Sequence, residues 1–574
     1  MQAVRNDRSW VAWVRPLSHR TMNAHDAVVI GAGHNGLVAA AALAKAGWSV
    51  VVLEAEDEPG GCIRSGEVTV PGVVHDLYST NQNLFRQSPA YSAWKDELEA
   101  HGLRFAPSET PFCNVFEDGT AIRGYADLDR TADGLAERSA ADAAGLRELY
   151  GRFQDLQNVV LPLYGLPLPS AGAAAAAAKG TATVGVERTA ELARLLLDST
   201  RELGDAYFET DEAKAVLATW GMHMDFGPDV SGGAVFPLME TFSNLTEGMV
   251  VAEGGASAIP RALVGLIEAN GGAVRTGARV ARVLTEAGRA TGVELEGGER
   301  IRAERAVVAN LVPDVLFEGL FDGAAVPDEF AVKVGRYQHG PGTFMLHLAL
   351  DAPVPWAAGD DIAEFAYVHI PPTVDDLART YQQSLAGLLP DSPLLIVGQT
   401  TAVDPGRAPE GTHVLWIQVR TVPGEIRGDA AGEIDATDWA DATDAFADRV
   451  VAKLERFAPG VSEHIVGRYA MSPDDLEAHN ANLVGGDSLG GSVHLRQNLA
   501  FRPFPGWTRY ETPVEGLFLC GAGTWPGPGN NGTSGWLVAE RLTRGTPWKE
   551  IALGTAAAGA AVAGLWSLFH GDEA

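Results

Sequence analysis

Residues 26–54, DAVVIGAGHNGLVAAAALAKAGWSVVVLE, constrain this chain more than any other stretch. Ala27 to Ile30 is an unbroken β-prone apolar run of the kind found in a parallel strand buried on both faces. Gly31, Gly33 and Gly36 then complete GxGxxG, and Leu37 to Ala46 is an alanine-rich helix closed by Gly47. A second strand, Ser49 to Leu53, ends at Glu54, 23 residues after the first glycine. Each part has a physical role. Gly31 allows the tight turn, Gly33 lets backbone approach a pyrophosphate, and Gly36 lets helix pack on strand, while the helix N-terminus offers amide hydrogens to phosphate. Glu54 accepts hydrogen bonds from ribose hydroxyls and repels a 2′-phosphate. A strand, turn, helix, strand and acid in this order specify a Rossmann-type dinucleotide site.

Composition sets the frame around that unit. The chain has 574 residues, with 43 Lys and Arg against 74 Asp and Glu, a formal charge of −31. A polyanion without a basic patch repels nucleic acid, so no nucleic-acid partner is expected. Hydrophobic residues make up 46%, enough for a large core. Cys62, Cys113 and Cys520 have no CxxC spacing, which removes support for structural zinc, and no metal site is expected.

Directly after the second strand comes Pro59-Gly60-Gly61-Cys62-Ile63-Arg64-Ser65. This loop resembles that of the flavin-dependent superfamily joining amine oxidases with phytoene desaturases. Many amine oxidases carry Arg directly after the two glycines. Here Cys62 stands there and Arg64 follows two residues later, which tilts the resemblance toward the phytoene desaturase-like branch. Residues 254–310 hold an amphipathic helix and short β-branched strands, and the resemblance assigns Val280 as the residue whose backbone meets adenine. Residues 515–540, EGLFLCGAGTWPGPGNNGTSGWLVAE, form a strand (Leu517 to Cys520), a glycine-rich turn and a helix starting near Gly532. In the family this stretch closes the FAD site, which implies FAD contacts at Gly60, Gly61, Arg64, Ser65, Gly521, Gly523, Asn531 and Gly532. Relatives usually have a glycine run where this chain has Asn530 and Asn531.

The expected fold is α/β: a Rossmann-type FAD-binding domain interleaved with an α+β substrate domain. Residues 24–110, 245–310 and 500–550 are assigned to the FAD domain, and 111–244 and 311–499 to the substrate domain. In the first insertion, Leu146, Leu149, Tyr150, Phe153, Leu156 and Val160 recur at helical spacing. The alanine run Ala173 to Ala178 reads as a low-complexity linker or lid. In the second, TFMLHLAL (343–350) and HVLWIQV (413–419) read as strands, and 438–457 as a helix with the stripe Trp439, Phe446, Val450, Leu454 and Phe457. Seven acids and no base between Asp429 and Asp448 read as a solvated face. The segments AVDPGRAPEGTHVLWIQV and NLVGGDSLGGSVHLRQNLAFRPFPGW resemble the subgroup containing flavin carotenoid ketolases and pyridine-nucleotide-disulphide-oxidoreductase-domain-two proteins.

Flavin oxidation requires a substrate C–H bond held against N5 in a dry pocket and, where needed, a base. Amine oxidases of the superfamily commonly add a lysine near N5; of the seven lysines here, Lys45, Lys95, Lys179 and Lys549 read as helix ends or linkers, which leaves Lys214 and Lys333 as the candidates. The base candidates are His494 in GGSVHLRQN, His223 in TWGMHMDFG, and His347, which shares a strand face with Met345 and Ala349. His494 ranks first for its place before the closing FAD strand. The expected activity is hydride transfer from an apolar or alicyclic substrate, carotenoid- or lipid-like in character, to flavin. A redox-neutral isomerase, an amine oxidase and a non-catalytic flavoprotein partner are the alternatives. With no second strand–GxGxxG–helix unit in sequence, oxygen, a quinone or another carrier is the expected electron acceptor.

Residues 1–23 read as an extension before the fold, without the apolar centre of a secretory signal. At the other end, 551–569 is 19 residues without a charge, mostly Ala and Gly. It is either docked on the body or a partner subunit, or in peripheral contact with a membrane; the expected location is the cytoplasm or the cytoplasmic face of the membrane.

Overall fold

A computed structural model describes residues 24–321, 326–371 and 373–544. Two seven-stranded sheets organise them. The first runs in the order Val280–Glu286, Arg289–Leu295, Arg300–Ala309, Ala24–Ile30, Val50–Leu53, Ala273–Arg275. The long strand Arg300–Ala309 has two partners along one edge: its first half pairs antiparallel with Arg289–Leu295, and Val307 to Ala309 pair parallel with Leu517–Leu519. Its other edge pairs in parallel with Ala24–Ile30, which in turn pairs with Val50–Leu53. A parallel sheet is buried on both faces, and Ala27 to Leu53 comply: Val28, Val29, Val51 and Val52 are at most 1% exposed.

The helix His34–Lys45 lies on that sheet between helices Ala258–Ala269 and Thr533–Arg544. Small side chains allow the close approach. A Cβ on Gly36 would sit 2.3 Å from the Gly31 carbonyl oxygen, and one on Gly535 would sit 1.9 Å from the Asn35 carbonyl oxygen.

The second sheet has the order Ile465–Met471, Gly342–Leu350, His413–Val422, Leu395–Gln399, Tyr367–Ile370, Phe112–Val115, Ala121–Gly124. Strand alternation gives it two faces. Phe344, Leu346, Leu348, Leu415, Ile417 and Val419 point into a core closed by the helix Trp439–Phe457. Met345, Trp416 and Tyr367 point the other way, toward a layer of helices from residues 128–247.

Two expectations change. The run Ala173 to Ala178 is not an unstructured linker but part of the helix Ala171–Val184, whose Ser170 hydroxyl accepts the Ala173 amide hydrogen. Alanine has the highest helix propensity of any residue, and a capping serine starts the turn. Nor is the acidic run wholly solvated, since Asp429 is buried against Arg449 at 2.6 Å. Among the described residues no helix is long and apolar enough to cross a membrane. The 551–569 segment and residues 1–23 lie outside the described residues.

Candidate functional site

The glycine turn after the first strand opens into a solvent-connected cleft of about 1210 Å³. Its walls include Gly31, Gly33, Glu54, Gly61, Arg64, Val280 and Gly521, brought from the beginning, middle and end of the chain. Gly31 has φ of +88°, where a side chain would strain the turn. Gly33 caps the helix His34–Lys45 in extended conformation, leaving the first-turn amides free of intrahelical partners and facing the turn. Glu54 is fixed at the strand end: Oε2 accepts the Ala32 amide hydrogen at 2.6 Å and Oε1 that of Glu56 at 3.0 Å. Arg64 Nε is buried without a hydrogen-bond partner among the described residues. A glycine cradle, a helix N-terminus, a ribose-reading acid and an unmatched cationic donor fit the adenosine and pyrophosphate of FAD.

The remaining expected contacts sit behind this wall. Gly60 bridges to Gly33, and its amide donates to the Ala32 carbonyl at 3.0 Å. Gly36 lies inside the helix, where it packs against the turn. The Ser65 hydroxyl donates to Asp76 at 2.8 Å, so it ties the loop down and does not line the cleft. Gly523 packs on Pro313 and Gly532 on Val38. Asn531 accepts the Thr533 amide hydrogen at 2.8 Å and so starts the last helix.

Sequence reasoning missed the asparagines. The Asn310 amide lies across the glycine turn: a Cβ on Gly33 would meet its Nδ2 at 2.6 Å, and one on Gly521 its Oδ1 at 2.6 Å. Asn482 holds it there by donating to the Asn310 carbonyl at 3.1 Å and accepting the Val312 amide hydrogen at 2.9 Å. Asn480 donates to Cys62 Sγ at 3.4 Å. Burial pushes the Cys62 thiol up to about 12, so it stays a thiol and packs.

Cys62 and Ser488 also line a second pocket, which therefore adjoins the nucleotide cleft. Leu84, Trp220, Met224, Phe236, Met345 and Trp416 form its apolar walls. Three strand residues at alternate positions, Trp416, Gln418 and Arg420, share one side of it. From the helix Val235–Glu247 comes Glu240, whose carboxyl burial raises to about 7 against a smaller opposing effect of the Asn244 amide. Burial likewise lowers Arg420 to about 10, which keeps it charged at neutrality.

Of the three histidines, only His223 lines this pocket. Desolvation holds it well below its ordinary value and therefore neutral, and its Nε2 is buried without a partner among the described residues. His494 lines neither cleft: its Nε2 lies 2.8 Å from the Asp225 carbonyl oxygen and 3.2 Å from the Tyr381 hydroxyl, and its ring stacks on Phe226. His347 shares the Met345 face as expected from alternation, but is fully buried edge-on to His75. Neither residue is among those lining the cleft or the pocket. Of the lysines, Lys214 pairs with Asp205 at 2.8 Å and Lys333 contacts Glu329 at 3.7 Å. Lys453 is buried, but on the helix covering the opposite face of the second sheet, where it donates to the Pro393 carbonyl.

Comparison with known proteins agrees with this geometry. Residues 36–527 match the family described as flavin containing amine oxidoreductase. The chain is 28% identical over 561 residues to pyridine nucleotide-disulfide oxidoreductase domain-containing protein 2 of Rattus norvegicus, covering 91% of this chain and 93% of that one. It is 27% identical over 539 residues to the zeta-carotene-forming phytoene desaturase of Myxococcus xanthus, covering 90% and 93%. A crystal structure of an oxidoreductase from Methanosarcina mazei superposes with a TM-score of 0.58 at 18% identity, covering 90% of this chain and all of the other, a likeness of fold. The chain thus belongs to the flavin containing amine oxidoreductase family and is an FAD-dependent oxidoreductase.

Proposed function

We propose that the enzyme dehydrogenates an apolar or alicyclic substrate, carotenoid- or lipid-like in character, with bound FAD supplying the hydride acceptor at N5. One observation carries this reading: aromatic, leucine and methionine side chains line much of the pocket that adjoins the nucleotide cleft, and no lysine lines it among the described residues. Forming a C=C bond releases a hydride and a proton. Glu240 is matched to the proton, because a carboxyl raised to about 7 is both ionised enough to accept it and basic enough to hold it near neutrality. Neutral His223 is a far weaker base and contributes its ring to the wall.

Reoxidation falls to oxygen, a quinone or another carrier. Free Cys62, Cys113 and Cys520 support a cytoplasmic location. Anaerobic mixing of the yellow holoenzyme with polyenes, lipids, cyclic ketones or acids, and amines tests the reading. Bleaching by the apolar compounds is expected. Bleaching by amines alone overturns it, and turnover without bleaching makes the enzyme an isomerase.

A further inference from the structure

Three arginines, Arg407, Arg449 and Arg502, have their guanidinium donors met by carboxylates or by backbone carbonyls. Arg407 is wholly buried and contacts Asp76 at 3.0 Å and Asp404 at 2.9 Å. Arg449 contacts Asp429 at 2.6 Å. Arg502 donates to a ring of backbone carbonyls, among them those of Ala522, Ser492 and Gly490. Arg420 is different. It lines the apolar pocket, its Nη1 donates to Ser488 Oγ at 2.9 Å, and its Nη2 donates to the His223 carbonyl. Among the described residues no carboxylate lies within ion-pair distance of it, although Asp487 and Asp225 act on its charge from further away. A guanidinium has five N–H donors in a planar fork, so donors are left over on the pocket side of a desolvated cation.

Glu240 does not answer that charge. The two line the same pocket and both act on the Tyr367 phenol, yet they form no ion pair with each other, and burial keeps Glu240 largely protonated up to about 7. Asp487 and Asp225 stabilise the charge only from a distance, and a ligand carboxylate within hydrogen-bond reach would give it a direct partner. The shape of a guanidinium fork matches a carboxylate with two parallel hydrogen bonds.

We propose that Arg420 anchors a carboxylate of the substrate, so that the molecule oxidised is an apolar body ending in a carboxylate and not a pure hydrocarbon. This rests on the pocket being the substrate site. The position of Ser488, shared by pocket and nucleotide cleft, sets the anchored end beside the flavin side of the pocket and leaves the apolar remainder to Phe236, Leu84 and Trp220.

Calorimetric titration of the FAD-loaded full chain with octanoate and methyl octanoate, and with cyclohexanecarboxylate and its methyl ester, tests the anchor. The acid of at least one pair is expected to bind ten-fold or more tightly than its ester, and the better pair tells whether the body is a chain or a ring. Arg420→Met is expected to erase the difference by weakening the acid alone, with ester binding and flavin content unchanged; Arg420→Lys is expected to restore part of it. Esters binding as tightly as acids in the unmodified enzyme overturn the anchor whatever the variants do. So does an Arg420→Met enzyme that loses flavin or weakens both ligands equally, since Arg420 then serves the cofactor or the fold. If neither acids nor esters bind, the apolar substrate site itself is wrong and the anchor falls with it.

Discussion

A carboxyl group on an apolar pocket wall gives up much of its hydration, and Glu240 shows the consequence in its protonation. Its ordinary value of 4.5 is raised to about 7, chiefly by burial. In the enzyme this sets a base that switches on over the neutral range. Glu240→Gln is therefore expected to lower the rate of flavin reduction about 100-fold, within the usual span for general bases, and to abolish the rise in rate through pH 7. KM is expected to change little. An unaltered pH profile in stopped-flow measurements would take the base role away from Glu240. Stability follows with a definite sign. Below about 4.5 the carboxyl is protonated whether the chain is folded or unfolded; between there and about 7 the folded chain keeps a proton that the unfolded chain releases. Its favourable contribution is thus present at low pH and is lost as pH rises through about 7. The variant flattens that part of the profile.

At the scale of elements, the close crossing of helices His34–Lys45 and Thr533–Arg544 holds the nucleotide end of the site. Gly535 meets Asn35 and Ala39 backbone, and a methyl there has nothing flexible to displace. Gly535→Ala is expected to cost about 1–3 kcal/mol by overpacking and to lower flavin content in the purified protein, because the helix it pushes begins at the glycine turn. Gly134→Ala, in the helix Leu128–Ala136 with open space around it, is the control and is expected to leave both unchanged or raise the melting temperature. Equal flavin content in the two variants would remove the link between crossing and cofactor. Such elements were readable from sequence wherever the backbone itself makes the demand: Gly31, Gly33 and Gly36 leave a pattern because no side chain can replace them. The strand around Trp416 was readable too, as an apolar run. What that run concealed was its own alternation, which carries Gln418 and Arg420 to the pocket side while Ile417 and Val419 fill the core. Glu240, likewise, is one acid among apolar neighbours, and nothing local announces that the wall opposite comes from residues some 180 positions away. The attraction of His494 was proximity in sequence to the closing FAD strand, but the chain turns its ring onto Phe226 and Asp225 instead.

At the scale of the molecule, the two sheets must keep their relative placement for cleft and pocket to stay side by side, and a largely buried ionic group lies at their junction. Asp314, on the helix Pro313–Gly319 that follows the first sheet's long strand, lies 2.7 Å from His339 Nε2. On the other side, Asp487 lies 3.4 Å from His339 Nδ1 and also accepts the amide hydrogens of Gly340, Leu489 and Gly491. The Tyr337 ring packs edge-on against the imidazole. Burial works against the charged ring, but the two carboxylates outweigh it and raise His339 from 6.5 to about 9. The stabilisation is therefore complete below about 6.5 and is lost as pH rises through about 9. His339→Gln removes the charge while keeping a polar side chain. Its melting temperature is expected to lie well below that of the unmodified protein at pH 6.5, by an amount on the order of 2–3 kcal/mol in stability, and the gap is expected to close by pH 9.5. Comparing the two proteins at each pH cancels the titration of groups elsewhere, including Lys453, which burial lowers to about 7. A gap that stays constant from pH 6.5 to 9.5 would mean that His339 joins the two halves by packing alone, and that its charge contributes nothing to holding pocket against cleft.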